Sequence, residues 1–133
     1  MVYKILIVDD EPQVINVLQS YLRLRGFEVI GCVDPETALQ KMLEDRFHVA
    51  LLDINLPRMN GIQLLKRVKD TSPTTQVMMM TAYSTIETAL ECLEAGASDY
   101  FIKPFHDLNE VASVVQSACE RVGRWENVTK ARA

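Results

Sequence analysis

The sequence predicts an α/β protein, a doubly wound parallel sheet of five strands with helices on both faces. Three observations carry that expectation. Apolar runs of four or five residues, rich in Val, Ile and Leu, have the length and composition of strands buried on both sides. Segments with apolar residues at helical spacing lie between them, and Gly and Pro punctuate the joins. Strict alternation of strand and helix implies parallel strands joined by helical crossovers.

Residues 3–8 read as the first strand. Pro12 suits the first turn of a helix, where its missing N–H costs nothing. Val14, Val17, Leu18, Tyr21 and Leu22 then recur at helical spacing, and Gly26 is a stop. Phe27 to Cys32 reads as the second strand. Asp34-Pro35 is an N-cap followed by a first-turn proline, and the helix it opens turns Ala38, Leu39, Met42 and Leu43 inward. His48 to Leu52 is the third strand. A loop with Pro57 and Asn60-Gly61 leads to a helix with Ile62, Leu65 and Val68, broken at Ser72-Pro73. Val77 to Met80 is the fourth strand, a fourth helix runs from about Ser84 to Ala95, and Gly96 ends it. Tyr100 to Ile102 is the fifth strand, and a last helix begins near Asp107.

At 133 residues the chain fits one domain with a full core. Its net charge of −4 gives no basic face for direct nucleic-acid binding. No apolar run approaches the roughly 20 residues a membrane span needs, and the start shows no signal-peptide pattern. Cys32, Cys92 and Cys119 are far apart and form no CxxC pair, which fits buried thiols in a reducing cytoplasm rather than zinc or redox chemistry. Met78-Met79-Met80 reads as a central apolar strand, not a metal motif. His48 and His106 lack ligand-spaced partners.

The chemistry concentrates at strand ends. The first strand runs into Asp9-Asp10 and the third into Asp53, so two adjacent strands would gather three carboxylates at one rim of the sheet. Such a cluster repels itself and calls for a cation or a raised pKa. Thr81 follows the fourth strand and Lys103 the fifth. Ligands of open parallel sheets bind outside these carboxyl ends, where strand order reverses.

Val8-Asp9-Asp10-Glu11, Leu52-Asp53-Ile54-Asn55-Leu56-Pro57 with Gly61, Met80-Thr81-Ala82, and Asp99-Tyr100-Phe101-Ile102-Lys103-Pro104-Phe105 occur in that order, each at a strand end. Over residues 3 to about 122 the chain resembles the CheY-like receiver domain of two-component response regulators. The resemblance implies a flavodoxin-like fold with strand order 2-1-3-4-5. It also implies a phosphoprotein switch rather than an enzyme, beyond catalysis of its own phosphorylation and slow dephosphorylation. Asp53 would take a phosphoryl group from the phosphohistidine of a sensor histidine kinase or phosphotransfer protein. Mg²⁺ would be the cofactor, with Asp10 a direct ligand, Asp9 acting mainly through a water, Asp53 a third carboxylate, and Asn55 giving its backbone carbonyl. Glu11 reads instead as an acid favoured by the helix dipole. Lys103 would pair with Asp53 and then with a phosphoryl oxygen, and Thr81 would donate a hydrogen bond to the same group. Tyr100 would be the switch aromatic coupled to Thr81, altering the surface of the fourth helix, fifth strand and fifth helix. The Lys103–Pro104 peptide would be cis. Tyr83, two past Thr81, would slow hydrolysis of the acyl phosphate.

Leu108, Val111, Val115, Ala118, Val122 and Trp125 follow a heptad seam. Residues 1–122 are therefore read as the receiver domain, and residues 123–133 as an extension of the last helix that begins a linker. Gly123 weakens helicity there. The pattern continues through Val122 and Trp125, and a stop in mid-pattern at Ala133 is the expectation for part of a longer chain. Expected partners beyond the kinase are an output domain past Ala133 or a separate effector, with possible homodimerisation through the fourth helix, fifth strand and fifth helix or through the C-terminal helix. The sequence resembles receivers of the NtrC/DctD class, which implies transcriptional control and a cytoplasmic location. A stand-alone receiver acting by protein–protein contact is the alternative. An aspartate-nucleophile phosphatase of the haloacid dehalogenase type would need an acid where Asn55 stands. A dinucleotide-binding module would need a Gly-rich turn where Asp9-Asp10-Glu11-Pro12 stands.

Overall fold

In the computed structural model, residues 1–132 are described, with side chains through Val128. Strands β1 (Lys4–Val8), β2 (Glu28–Cys32), β3 (Val49–Asp53), β4 (Gln76–Thr81) and β5 (Asp99–Ile102) alternate with helices α1 (Pro12–Leu24), α2 (Pro35–Glu44), α3 (Gly61–Thr71), α4 (Ile86–Glu94) and α5 (Leu108–Arg132). The strands form one parallel sheet in the order β2-β1-β3-β4-β5, with Val8 beside Leu52 and Asp53 beside Met80.

Alternation along the strands splits the core in two, because successive side chains face opposite sides. Ile5, Ile7, Leu51, Met78, Met80 and Phe101 pack under α1 and α5. Leu6, Val8, Ala50, Leu52, Val77 and Met79 pack under α2 and α3. Tyr100 joins this second cluster, on the other side of the strand from Phe101.

Local signals act as their chemistry predicts. Asp34 accepts the Thr37 N–H at 2.7 Å to cap α2. Asn60 and Gln63 form a capping box that opens α3. Gly26, at φ 92°, ends α1 in the left-handed region. Three expectations about helix faces shift. Leu43 is exposed, because α2 turns Pro35, Ala38 and Met42 inward and Leu43 lies about 100° further round. The buried stripe of α1 is Ile15, Leu18 and Leu22, which leaves Val17 half exposed. Leu64, absent from the predicted face of α3, is fully buried beside Leu65.

The helices differ in how firmly they are held. Helix α4 buries only Cys92, while Ile86, Leu90 and Leu93 are largely exposed. Helix α5 is buried along its seam at Val111, Val115, Ala118 and Val122.

Candidate functional site

The carboxyl ends of β1, β3, β4 and β5 bring Asp9, Asp53, Thr81 and Lys103 together. Backbone bonds set the rim: Asp9 N–H donates to the Cys32 carbonyl, Ile54 N–H to the Met80 carbonyl, and Lys103 N–H to the Thr81 carbonyl. Asp9 is fully buried and Asp53 is 2% exposed, whereas Asp10 lies at the surface. Carboxylate oxygens of Asp9, Asp10 and Asp53 lie within 4.8 Å of one another.

Gly61 explains how the acidic loop closes on the sheet. A Cβ there would lie 2.2 Å from the Asp53 carbonyl oxygen, so only glycine admits this approach. Its N–H donates to the Ile54 carbonyl at 2.7 Å, folding the start of α3 back against the end of β3.

Lys103 is the cation of the site. Its Nζ lies 2.8 Å from Asp9 Oδ2 and 3.5 Å from both Asp53 Oδ2 and Glu11 Oε1. The expected Lys103–Asp53 contact is present, but the shortest bond goes to Asp9. Asp9 also accepts the Glu11 N–H at 2.9 Å, a shorter bond than the 3.2 Å one by which Asp53 accepts the Asn55 N–H. Glu11 is the N-cap residue of α1, yet its side chain makes no capping bond and turns to Lys103 instead. That contact was not legible from a dipole argument.

The electrostatics follow from burial. Burial pushes the Asp53 carboxyl above its ordinary range, and the neighbouring Asp9 charge pushes the same way. Lys103 and the Asn55 N–H, which donates to Asp53 Oδ1 at 3.2 Å, oppose this in part. Burial works against the charge on Lys103, but its hydrogen bond to Asp9 and the nearby Asp53, Asp9 and Glu11 charges together hold its pKa above the usual value. Three clustered carboxylates thus face one ammonium, and the cluster retains uncompensated negative charge. Its donors are all oxygen, with no His or Cys, which matches the preference of a hard cation such as Mg²⁺ and not of zinc.

Thr81 is 1% exposed. Its hydroxyl donates to the Tyr83 carbonyl at 3.1 Å and accepts the Tyr83 N–H at 3.0 Å, so it is held by the local backbone. Tyr83 itself is 80% exposed, and Asn55 also lies at the surface. Tyr100 is half-buried, and its Oη is buried with no hydrogen-bond partner among the described residues. The Lys103–Pro104 peptide is cis. A groove of about 460 Å³ opens beside the site, between Val14 and Val17 of α1 and Pro104, Phe105 and Leu108 after β5, with Lys103 and Glu11 in its wall. The sequence reading did not find it, although Val17 on the solvent side of an apolar stripe is the signal.

All three cysteines are free and buried, and burial pushes the Cys119 thiol up to about 12. Among the described residues no helix is long and apolar enough to cross a membrane.

A doubly wound parallel sheet with buried aspartates and a lysine at its carboxyl ends defines a class of signalling receivers. The chain belongs to the response regulator receiver domain family, whose family model matches residues 5–116. It is 44% identical over 117 residues to the regulatory protein AtoC of Escherichia coli K12, a match covering 88% of this chain and 25% of that protein. It is 40% identical over 111 residues to the transcriptional regulatory protein CpxR of the same organism, covering 84% of this chain and 47% of that one. A CheY-like receiver domain from Methanospirillum hungatei JF-1 superposes with a TM-score of 0.88 at 28% identity, covering 93% of this chain and 98% of that one. A BeF3-activated DrrB receiver domain superposes with a TM-score of 0.84 at 32% identity, covering 90% of this chain and 99% of that one. The chain therefore spans a quarter to a half of these two curated relatives. Receiver domains generally bind Mg²⁺ at an acidic pocket, and response regulators interact with histidine kinases.

Proposed function

We propose that this chain is a phosphorylation-dependent switch in which Asp53 accepts a phosphoryl group from a phosphohistidine. One observation carries the reading: Asp53 ends a central strand in a desolvated cluster, with Lys103 Nζ at 3.5 Å and its own charge disfavoured by burial and by Asp9. A carboxylate that is poorly solvated and backed by a mobile cation is primed for attack, since phosphoryl transfer depends on positioning and charge neutralisation. An Asp53 carboxylate oxygen forms the new bond to phosphorus while the bond from phosphorus to the donor imidazole nitrogen breaks, its electron pair staying on the ring. Asp9, Asp10 and Asp53, with the Asn55 backbone carbonyl, would hold Mg²⁺, which supplies positive charge beside the phosphoryl oxygens. Lys103 then shifts from Asp9 towards the transferred group.

The same step reaches Thr81. A phosphoryl oxygen on Asp53 competes for the hydroxyl that now serves the Tyr83 carbonyl. The carbonyl it gives up becomes an acceptor for a buried hydroxyl, and Tyr100 Oη lacks one. Such a local exchange biases a packing element with two states. Helix α4 follows Tyr83 and buries only Cys92, so it is the element least able to resist. The apolar groove between α1 and Phe105 fits one helix of the sensor kinase or phosphotransfer protein, laid beside Lys103.

The printed name of CpxR supports transcriptional control, and the length of both relatives beyond the matched region supports an output domain in a longer protein, with a separate effector as the alternative; a cytoplasmic location is part of the same reading. Incubation with Mg²⁺ and acetyl phosphate, followed by mass spectrometry, tests the core claim. A labile adduct on Asp53, absent from Asp53→Asn, is expected. A wild-type chain that takes up no phosphoryl group overturns it.

A further inference from the structure

The amino end of the sheet, opposite the site, holds a second cluster. Tyr3 precedes β1, His48 precedes β3, and both meet the last part of α5. The His48 backbone joins three strands, donating its N–H to the Lys4 carbonyl at 2.9 Å and accepting the Gln76 N–H at 2.9 Å. Its Nδ1 accepts the Lys4 N–H at 3.0 Å, which places the ring proton on Nε2. Nε2 faces Glu126 Oε1 of α5 at 4.0 Å, and Arg46 lies 3.9 Å from the same oxygen. The Tyr3 ring stacks edge-on against His48 with centroids 5.1 Å apart. Val122 is 1% exposed, and Gly123 is buried against Tyr3.

We propose that Tyr3, His48, Arg46 and Glu126 form a clamp that makes α5 part of the domain body through Glu126, so that the sheet sets the direction in which the helix projects. The competing picture is a domain that ends at Val122 with a hinge at Gly123, the weakest helix former in this stretch. The clamp replaces that hinge. Tyr3 and His48 are held by the sheet, and neither loses much freedom in making the contact. The Glu126 side chain is 23% exposed and the His48 side chain 14%, so the pairing is partly shielded from solvent and salt. A helix held at Val122 and again at Glu126 is fixed one turn apart on one face, which leaves little angular play. The inference is independent of phosphoryl transfer, since none of these residues belongs to the carboxyl-end site.

Amide hydrogen exchange on the full 133-residue chain tests it. Amides 123–128 of the wild type are expected to be protected to within about tenfold of amides 115–119, as one cooperative unit. His48→Ala is expected to lower protection of 123–128 by about tenfold while leaving 115–119 unchanged. Glu126→Gln, a change at a partly exposed position that leaves the fold intact, gives a smaller loss confined to the same amides. Gly123→Ala, whose new Cβ would sit at an ordinary 3.6 Å from Tyr3, should leave the ratio between the two stretches unaltered. Free exchange of 123–128 in the wild type, no response to either clamp variant, or a rise confined to 124–128 in Gly123→Ala would each overturn the clamp in favour of the hinge.

Discussion

The two ends of one sheet treat charge in opposite ways. At the amino end, Lys4 pairs with Asp45 and Glu28, Arg46 faces Glu126, and His48 accepts the Lys4 N–H at Nδ1 while Nε2 faces Glu126 at 4.0 Å. At the carboxyl end, Asp9, Asp10 and Asp53 converge on a single lysine, and the only buried polar side-chain atom without a partner among the described residues, Tyr100 Oη, belongs to β5. Charges at the amino end are matched by neighbours in the chain, and that end holds structure together. The carboxyl end is left short of positive charge, and what completes it must arrive from outside. On the proposed function, the same fold separates anchoring from switching by where it leaves charge uncompensated.

The largest effect expected from disturbing this contrast is at Lys103. Lys103→Ala should slow phosphorylation of Asp53 by about two to three orders of magnitude, the usual loss when one positioned charge is removed from a transferring group. Rates of adduct formation with acetyl phosphate at saturating Mg²⁺ would show it, and a rate within a factor of about three of wild type would remove Lys103 from the proposed chemistry.

Stability should move in opposite directions at the two ends. Asp53 carries a carboxyl whose charge is disfavoured by burial and by Asp9. Asp53→Asn should therefore raise stability by on the order of 1 kcal/mol without divalent ions, while abolishing the phosphorylated adduct. Mg²⁺ should raise the melting temperature of the wild type more than that of Asp53→Asn, because the ion relieves a repulsion the variant no longer has. Thermal melts of both proteins with and without Mg²⁺ decide this. A less stable Asp53→Asn without Mg²⁺ would mean that its bonds to Lys103 and the Asn55 N–H outweigh the repulsion.

A smaller effect is expected at Tyr83, which is 80% exposed next to the site. On the proposed function, its exposed ring would screen the acyl phosphate from a hydrolytic water. Tyr83→Ala should shorten the lifetime of phosphorylated Asp53 severalfold, measured by decay of the adduct after removal of the donor. Unchanged or slower decay would show that the ring does not screen the group.

How much of this was legible in the sequence differs between the ends. The carboxyl-end residues were readable because apolar runs stop abruptly at Asp9, Asp53, Thr81 and Lys103, and parallel strands bring such stops to one rim. The partner of Lys103 was not, because the choice between Asp9 and Asp53 depends on side-chain placement, which strand spacing does not set. Nor was the resting bond of Thr81 to Tyr83, which is set by the turn after β4. At the helices, Ile15 and Leu64 were missed and Leu43 misplaced because a stripe read from spacing is uncertain by one position, and one position is about 100°. At the amino end almost nothing was legible. His48 and Glu126 are 78 residues apart in the numbering, and no periodicity links a strand start to the far end of a helix.

The smallest expected effect tests the balanced end by pH. Burial is the chief cause holding the His48 pKa below its ordinary 6.5, Arg46 lowers it further, and Glu126 and the Lys4 backbone contact push the other way without prevailing. A histidine with a depressed folded pKa stabilises the fold fully above the unfolded value and loses that contribution as pH falls through the folded one. The wild type should therefore lose stability as pH drops below about 6.5, through protonation of a ring nitrogen that now accepts the Lys4 N–H. The Lys4–Asp45 pair lies at the same end, but its hydrogen bond to Lys4 holds the Asp45 carboxyl below the ordinary carboxylate range, outside this window. His48→Gln, which can still accept that N–H, should flatten the dependence just below about pH 6.5. Denaturant titrations of both proteins across that window read the difference. Parallel curves would show that His48 does not set the acid sensitivity of this end.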